Sequence, residues 1–393
     1  MRIFLLVILG LYGALHAYAF VRVRAAFPFG AWAGLGLGLF MTVMILTPVL
    51  VRVLEAQGWE APARLLSYAG YAWMGVIFLF FSLSLAVDLY RLAAFGSGLL
   101  LHRDAGAFVP SARTALLAPL LLSLAFASWG ALSALDIRPR RIVVHTEKIP
   151  PWAGRIRIVQ ISDVHLGLIV REKRLDRIIR VISGEKPDLL VSTGDLVDGQ
   201  IDSMPDLADA LARVRPRWGK FAVTGNHEFY AGIGHSLEIT RRAGFTVLRG
   251  EACAIPGVLS IAGVDDPTGR HLGMPAGTHE EELLKGLPGD AFTVLLKHQP
   301  TVRPGSARLF DLQLSGHTHG GQIFPFRLLV RLFFPHVSGL HELPGGSLLS
   351  VSRGTGTWGP PIRFLAPPEV TVIDLVHGQR TPRTKSSLPA APR

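Results

Sequence analysis

The sequence is short of cysteine and short of charge. One cysteine, Cys253, stands among 393 residues, which excludes an intrachain disulfide framework and any cysteine-based zinc site. It reads as a small buried residue. Asp, Glu, Lys and Arg make up 18% of the chain, against about a quarter in soluble globular domains. The deficit is local. Ile3–Val21, Ala25–Val51, Leu65–Val87 and Thr114–Leu135 contain none of the four residue types. Each is long enough to cross a hydrocarbon core of ~30 Å as a helix. Four such stretches in succession exclude an ordinary soluble fold for the first third of the chain. The absence of charge inside them speaks against a transporter. The first stretch, with Arg2 before it and Ala17-Tyr18-Ala19 near its end, also fits a secretory signal. It is long for that role and reads as an uncleaved helix.

What charge there is leans basic, at +11. Nucleic-acid binding is one reading of such a chain. The arginines, however, flank the apolar stretches (Arg22, Arg24, Arg52, Arg64, Arg138, Arg140, Arg141), and the tail after Val376 is basic and rich in Pro and Ser. Anionic lipid headgroups account for that placement, so membrane lipids are the expected partner and nucleic acid is not. The division that follows is a four-helix transmembrane domain at 1–136, a second domain at 137–378 and a disordered basic tail at 379–393.

In the second domain, short apolar runs alternate with amphipathic stretches. The runs are Ile156–Ile161, Leu189–Ser192, Phe221–Val223, Leu259–Ala262, Thr293–Leu296, Leu312–Leu314, Leu348–Val351 and Val370–Leu375. Arg174–Ile182 and Met204–Val214 have helical periodicity. The alternation predicts an α/β domain.

The ends of those strands carry the chemistry. They read Ser162-Asp163-Val164-His165, Gly194-Asp195, Gly225-Asn226-His227-Glu228, Lys297-His298 and Ser315-Gly316-His317-Thr318-His319. Strand ends are where α/β sheets place ligands. Residues two apart in extended backbone face the same way, so Asp163 and His165 are expected to point at one ion, and His317 and His319 at one site. Each piece alone is weak, since Gly-Asp is usually a turn and a lone His usually structural. Five pieces at successive strand ends point to a metal centre.

The order Asp-x-His, Gly-Asp, Gly-Asn-His-Glu, His, Gly-His-Thr-His resembles the calcineurin-like metallophosphoesterases over about Arg155–Leu375. Gly194–Asp198, Gly316–Gln322 and Ser352-Arg353-Gly354 are similar to the membrane-associated, YkuE-like bacterial branch. The resemblance implies a two-sheet αββα sandwich, two divalent ions and hydrolysis of a phosphoester or pyrophosphate. It places Asp163, His165 and His319 on one ion, Asn226, His298 and His317 on the second, and Asp195 between them. It makes His227 the proton donor or charge stabiliser beside the scissile phosphate. Some relatives in that branch cleave the pyrophosphate of UDP-diacylglucosamine. Mixed imidazole, carboxylate and amide ligands suit Mn, Fe or Zn better than Ca. The four spans suggest a lipid-linked or otherwise amphiphilic phosphorylated substrate. The alternatives are a nuclease or phosphodiesterase on a soluble substrate, which would want a basic, aromatic groove by the site, and a catalytically silent membrane sensor, which would lack ligands; none is missing.

Other residues carry two readings each. Asp198 is a hydrogen-bond partner behind the ligands or a helix cap. Glu228 orients His227 or sits in a solvated turn. Arg353 contacts phosphate or forms a structural ion pair. His235, His271, His279, His336 and His341 read as surface or packing residues. The run Phe324–Pro335 (FPFRLLVRLFFP) reads as a buried core helix, with an interfacial, lipid-contacting element as its alternative. Arginine counts on the two sides of the spans, 6 against 5, do not set orientation. An even number of spans returns the second domain to the side of the N-terminus, read as the cytoplasmic face of a bacterial cell membrane.

Overall fold

A computed structural model describes residues 2–102, 106–201, 203–274 and 277–379. The basic tail expected at 379–393 lies, apart from Gln379, outside the described residues. Four helices open the chain: α1 (Arg2–Ala26), α2 (Ala31–Ala56), α3 (Glu60–Leu101) and α4 (Ala112–Ser133). All four are long and apolar enough to cross a bilayer. Their outward faces carry exposed Leu6, Trp32, Leu92 and Leu121. At 42 residues, α3 is about 63 Å long, twice what a bilayer core needs. Gly70 of α3 lies so close to Thr47 of α2 that no Cβ fits between them, the close approach that small residues allow in membrane bundles. Asp88, just past the third apolar stretch, accepts hydrogen bonds from Arg22 at 2.8 Å and from the Tyr18 hydroxyl at 2.6 Å. That pair clips α1 to α3.

The rest of the chain runs β1 (Arg138–Thr146), β2 (Arg155–Ile161), α5 (Glu172–Gly184), β3 (Leu189–Ser192), α6 (Met204–Ala212), β4 (Lys220–Ala222), α7 (Asn226–Tyr230), α8 (Ile233–Arg242), β5 (Thr246–Val247), β6 (Glu251–Ile255), β7 (Leu259–Gly263), α9 (Thr268–His271), α10 (Glu280–Lys285), β8 (Thr293–Leu296), β9 (Leu312–Ser315), α11 (Phe326–Phe333), β10 (Gly339–Glu342), β11 (Leu348–Val351) and β12 (Glu369–His377). One sheet has the order β1-β12-β2-β3-β4-β5 and the other β10-β11-β9-β8-β7-β6. The strands bearing the motifs, β2-β3-β4 and β8-β9, pair in parallel within their sheets, so their carboxyl ends gather on one side.

Period-two alternation builds the layers. Ile156 and Ile158 of β2 face the other sheet and pack in the cluster holding Leu259, Val294 and Leu312. Val159 and Ile161 face outward against Leu175 and Ile178 of α5 and Leu207 of α6. Gln160, buried between the sheets, donates to Thr193 Oγ1 at 2.8 Å and to the Ser315 carbonyl at 3.0 Å. It thereby holds the ends of β2, β3 and β9 level.

The membrane unit does not hang free. Val51 of α2 and Ala63 of α3 are buried in the same cluster as α5 and α6. Leu79 and Ala127 pack with Ile323, Ile362 and Phe364. Two sequence readings are corrected here. The run around α11 is no core helix, because none of its residues is buried. Cys253 is half-buried, on β6. The five additional histidines are half-buried or exposed, as read from the sequence.

Candidate metal centre

Five strand ends deliver the candidate ligands: β2 gives Asp163 and His165, β3 gives Asp195, β4 leads into Asn226, β8 into His298, and β9 into His317 and His319. The backbone reason differs from the one expected. Asp163, His165, Asp195, His317 and His319 all have positive φ, between 50° and 69°. They are in the left-handed region rather than extended, a conformation costly for non-glycine residues and concentrated at functional sites. Neighbouring loops hold it in place. Asp163 N–H donates to Gly194 O at 3.0 Å, His165 N–H to Asp195 O at 2.9 Å, and Gly356 N–H to Asp163 O at 2.9 Å. Two glycines make room for the carboxylates: a Cβ on Gly225 would collide with Asp195, and one on Gly316 with Ser162 and Asp163.

The donor atoms of the expected ligands converge in two groups, and a third cluster joins His227 to His165 and Asp195. His165 Nε2 lies 3.1 Å from His319 Nε2, which lies 3.4 Å from Asp163 Oδ1. His298 Nε2 lies 3.2 Å from Asp195 Oδ2, 3.2 Å from Asn226 Oδ1 and 3.1 Å from His317 Nδ1. Asp195 Oδ2 is also 3.8 Å from His165 Nε2, so this carboxylate stands between the groups. Asp163, His165, Asp195, His298 and His319 are buried, and each group could hold an ion.

The donor set fits cations. His298 Nδ1–H donates to Thr193 O at 2.7 Å, which turns the Nε2 lone pair toward Asp195, Asn226 and His317, the orientation a ligating imidazole needs. Burial alone would raise the Asp195 carboxyl, but His298, His227 and His165 hold it well below the usual range. Burial pushes His317 down to about 4, with His298 adding to the shift. It also pushes His319 down, helped by the Arg363 charge. Two neutral imidazoles facing a buried carboxylate that demands positive charge are what a divalent ion satisfies.

His227 shares a cluster with His165 and Asp195, their donor atoms within 4.8 Å of one another, and its backbone N–H donates to Asp195 Oδ1 at 2.9 Å. Its Nδ1 is 2.5 Å from Asp198 Oδ1. Burial disfavours its charge, but Asp198 and Asp195 override that and lift the imidazole to about 9. Its ring faces Tyr230 at 5.5 Å and Trp358 at 5.7 Å, both half exposed. Asp198 is therefore a partner of His227 rather than a helix cap.

Glu228 fits neither reading made from the sequence. It is buried; Oε2 accepts from Asp195 N–H and Gly225 N–H, and Oε1 from Leu196 N–H and Val197 N–H. Arg353 is in an ion pair with Glu369 at 2.6 Å, the structural alternative. Arg363 was not anticipated. It is fully buried and donates to the carbonyls of His319, Arg353 and Gly356 at 2.8, 2.6 and 3.0 Å, buttressing the last ligand loop. Its surroundings, Pro360-Pro361-Ile362-Arg363-Phe364, offered no motif that could have flagged it.

Residues 156–321 match the family model of the calcineurin-like phosphoesterases. An uncharacterized metallophosphoesterase of Aquifex aeolicus is 45% identical over 250 residues, covering 63% of this chain and 95% of that protein. A Danio rerio transmembrane protein with metallophosphoesterase domain is 32% identical, covering 65% of this chain and 61% of that one. The uncharacterized metallophosphoesterase YkuE of Bacillus subtilis is 34% identical, covering 59% of this chain and 84% of its own length. With four apolar helices before a two-sheet α/β domain, the chain belongs to the calcineurin-like metallophosphoesterase family of metal-dependent phosphoester hydrolases, in its membrane-associated branch.

Proposed function

We propose that the chain hydrolyses a phosphoester or pyrophosphate bond in an amphiphilic, lipid-linked substrate, working from the cytoplasmic face of a bacterial cell membrane. Residues 1–136 form the membrane domain and 137–378 the catalytic one. Asp163, His165 and His319 hold one divalent ion, Asn226, His298 and His317 a second, and Asp195 is shared. Mn, Fe or Zn suits this donor set. Such an ion pair supplies Lewis acidity for water and for the phosphoryl oxygens.

The chain's own residues do the rest. His227, held by Asp198, hands a proton to the leaving oxygen. Asp198 keeps the ring oriented. Trp358 and Tyr230 flank the His227 ring. The observation that carries the reading is the convergence of His165 and His319 Nε2 at 3.1 Å and of His298 Nε2 and Asp195 Oδ2 at 3.2 Å. The membrane helices support the lipid part, since hydrolysing a soluble ester would not require four spans.

The test compares one phosphorylated headgroup with and without acyl chains, using the full chain in detergent with added Mn²⁺. Turnover of the acylated form at a markedly higher kcat/KM is expected. Equal turnover of the two forms sinks the lipid assignment. No turnover of any phosphoester or pyrophosphate sinks the enzymatic one.

A further inference from the structure

Helix α11, directly past the ligand loop, has an orientation that water does not explain. Its sequence, Phe326-Arg327-Leu328-Leu329-Val330-Arg331-Leu332-Phe333, places Arg327 and Arg331 on one edge at i, i+4 spacing and six apolar side chains around the remainder. In a soluble domain the apolar arc would face the core. Here the helix meets the protein through the Arg327 backbone and half-buried Val330, while both arginine side chains are exposed. The Arg327 backbone packs so tightly on Gly321 that no Cβ would fit there, and Arg327 Nη2 donates to Ser338 Oγ at 3.3 Å. The apolar arc faces out: Leu328 is 59% exposed, Leu329 52%, and Leu332 and Phe333 77% each.

The apolar face continues the surface of the membrane helices. The segments on either side of the bridge Ile323–Phe364 are fastened to α3 and α4. Ile362 fills the space left by Gly75 of α3 and Gly130 of α4, where a Cβ on either glycine would clash with it. Arg363 N–H donates to the Gly130 carbonyl at 2.9 Å. Phe364 stacks on Phe126 at 4.7 Å, and Phe326, in the first turn of α11, meets Phe78 of α3 edge-on at 5.9 Å. Exposed Leu365 and Trp129 extend the same apolar surface. From the other end of α11, Phe334 covers the candidate ligand His317 at 4.9 Å between rings.

We propose that α11 is an in-plane membrane anchor. Leu328, Leu329, Leu332 and Phe333 lie in the acyl boundary of the bilayer that α1–α4 cross, and Arg331 lies at the level of anionic headgroups. The lipid surface is favoured over a second copy of the chain because the exposed face is continuous with helices already surrounded by lipid, and because an apolar arc edged with arginine is the composition of interfacial helices. The mouth of the metal centre then opens at the bilayer surface, beside Phe334. This inference rests on the membrane helices and not on the choice of substrate.

The test reads depth rather than activity. In a Cys253→Ser background, Leu332→Cys and, separately, Phe333→Cys are labelled with bimane. The full chain is reconstituted in vesicles of equal parts phosphatidylcholine and phosphatidylglycerol, with or without bromine on the acyl chains. Glu238→Cys, exposed on α8, serves as the reference. Both α11 positions should lose at least about half their emission to brominated chains, the reference little, as expected for a face ~5–10 Å below the headgroups. Quenching no greater than at residue 238 overturns the proposal. So does a blue-shifted emission insensitive to bromine, which would place the face against a second copy of the chain.

Discussion

Glu228 Oε2 accepts the backbone N–H of Asp195 at 3.0 Å and that of Gly225 at 2.6 Å. One buried carboxylate therefore spans the loop of the bridging candidate Asp195 and the loop that presents Asn226. Its second oxygen takes Leu196 and Val197 N–H at 2.7 and 3.1 Å. Glu228→Ala strands four buried donors, and each unsatisfied group costs about 1–3 kcal/mol. The variant should unfold at a lower temperature in detergent and retain less metal after gel filtration. Glu228→Gln, which keeps one acceptor oxygen, should fall between it and the wild type. Wild-type metal content in Glu228→Ala would show that the loops hold themselves.

His227→Ala should keep its metals and lose ~10²–10⁴ in rate, the contribution typical of a general acid–base group. Its candidate ligand neighbours stay paired with one another: His165 with His319, and His298 with Asp195. Asp198→Asn removes the charge from the carboxylate 2.5 Å from His227 Nδ1 while retaining a hydrogen-bonding group, and should cost less. Loss of metal in His227→Ala, measured by elemental analysis, would make His227 a ligand instead.

How far the sequence carried these conclusions depends on what kind of force shaped each element. Strands β2, β3, β8 and β9 were legible because burial on both faces leaves a continuous apolar run. Strand β1 was not, because Arg138, Arg140 and Arg141 sit on an edge strand whose residues are mostly exposed or half-buried. The candidate ligands were legible because strand ends punctuate them. Their left-handed backbone was not, since Asp and His carry no mark for positive φ as glycine does. The α11 run was misread as core because composition reports apolarity but not which phase receives it.

The end of the second membrane helix should matter to the rate. Glu55 accepts Gln200 N–H at 3.2 Å, and Arg52 donates to the Asp198 carbonyl at 3.4 Å with its Nη2 3.9 Å from Asp198 Oδ1. These contacts run from α2 to the loop carrying the partner of His227. Loss of such outer partners commonly costs ~10–100-fold. Arg52→Ala should lower kcat about tenfold with little change in KM, and Arg52→Lys should recover part of it. An unchanged kcat would reduce α2 to a tether.

Metal should stabilise the fold as well as complete the site. Asp163, Asp195 and His298 are buried together, so a cation that binds them in the folded chain has no equivalent site in the unfolded one. At a free-metal concentration ~100 times Kd the gain is ~3 kcal/mol. Chelation should lower the unfolding midpoint in detergent, and Mn²⁺ should restore it. Elemental analysis of active protein should find two ions per chain. One ion, or a midpoint indifferent to chelation, would contradict the paired site.

Lys220 gives a pH signature far from the metals. The residue is buried, and its Nζ donates to the carbonyls of Leu211 and Ala243, near the ends of α6 and α8, at 3.0 and 2.5 Å. Burial pushes the ammonium down to about 8, with the Arg215 charge acting in the same direction. An unfolded lysine stays protonated to about 10.4. Between those values the unfolded chain binds a proton that the folded chain has released, so this residue's contribution to stability rises with pH across about 8 to 10 and is flat below that window. Partial solvation of the site limits the effect to about 1–2 kcal/mol. Lys220→Met removes the titrating group. The difference in unfolding midpoint between wild type and Lys220→Met should therefore drift in favour of the wild type as pH is raised from about 7 to about 10. A difference independent of pH over that range would mean that Lys220 stays charged, held by the two helix-end carbonyls.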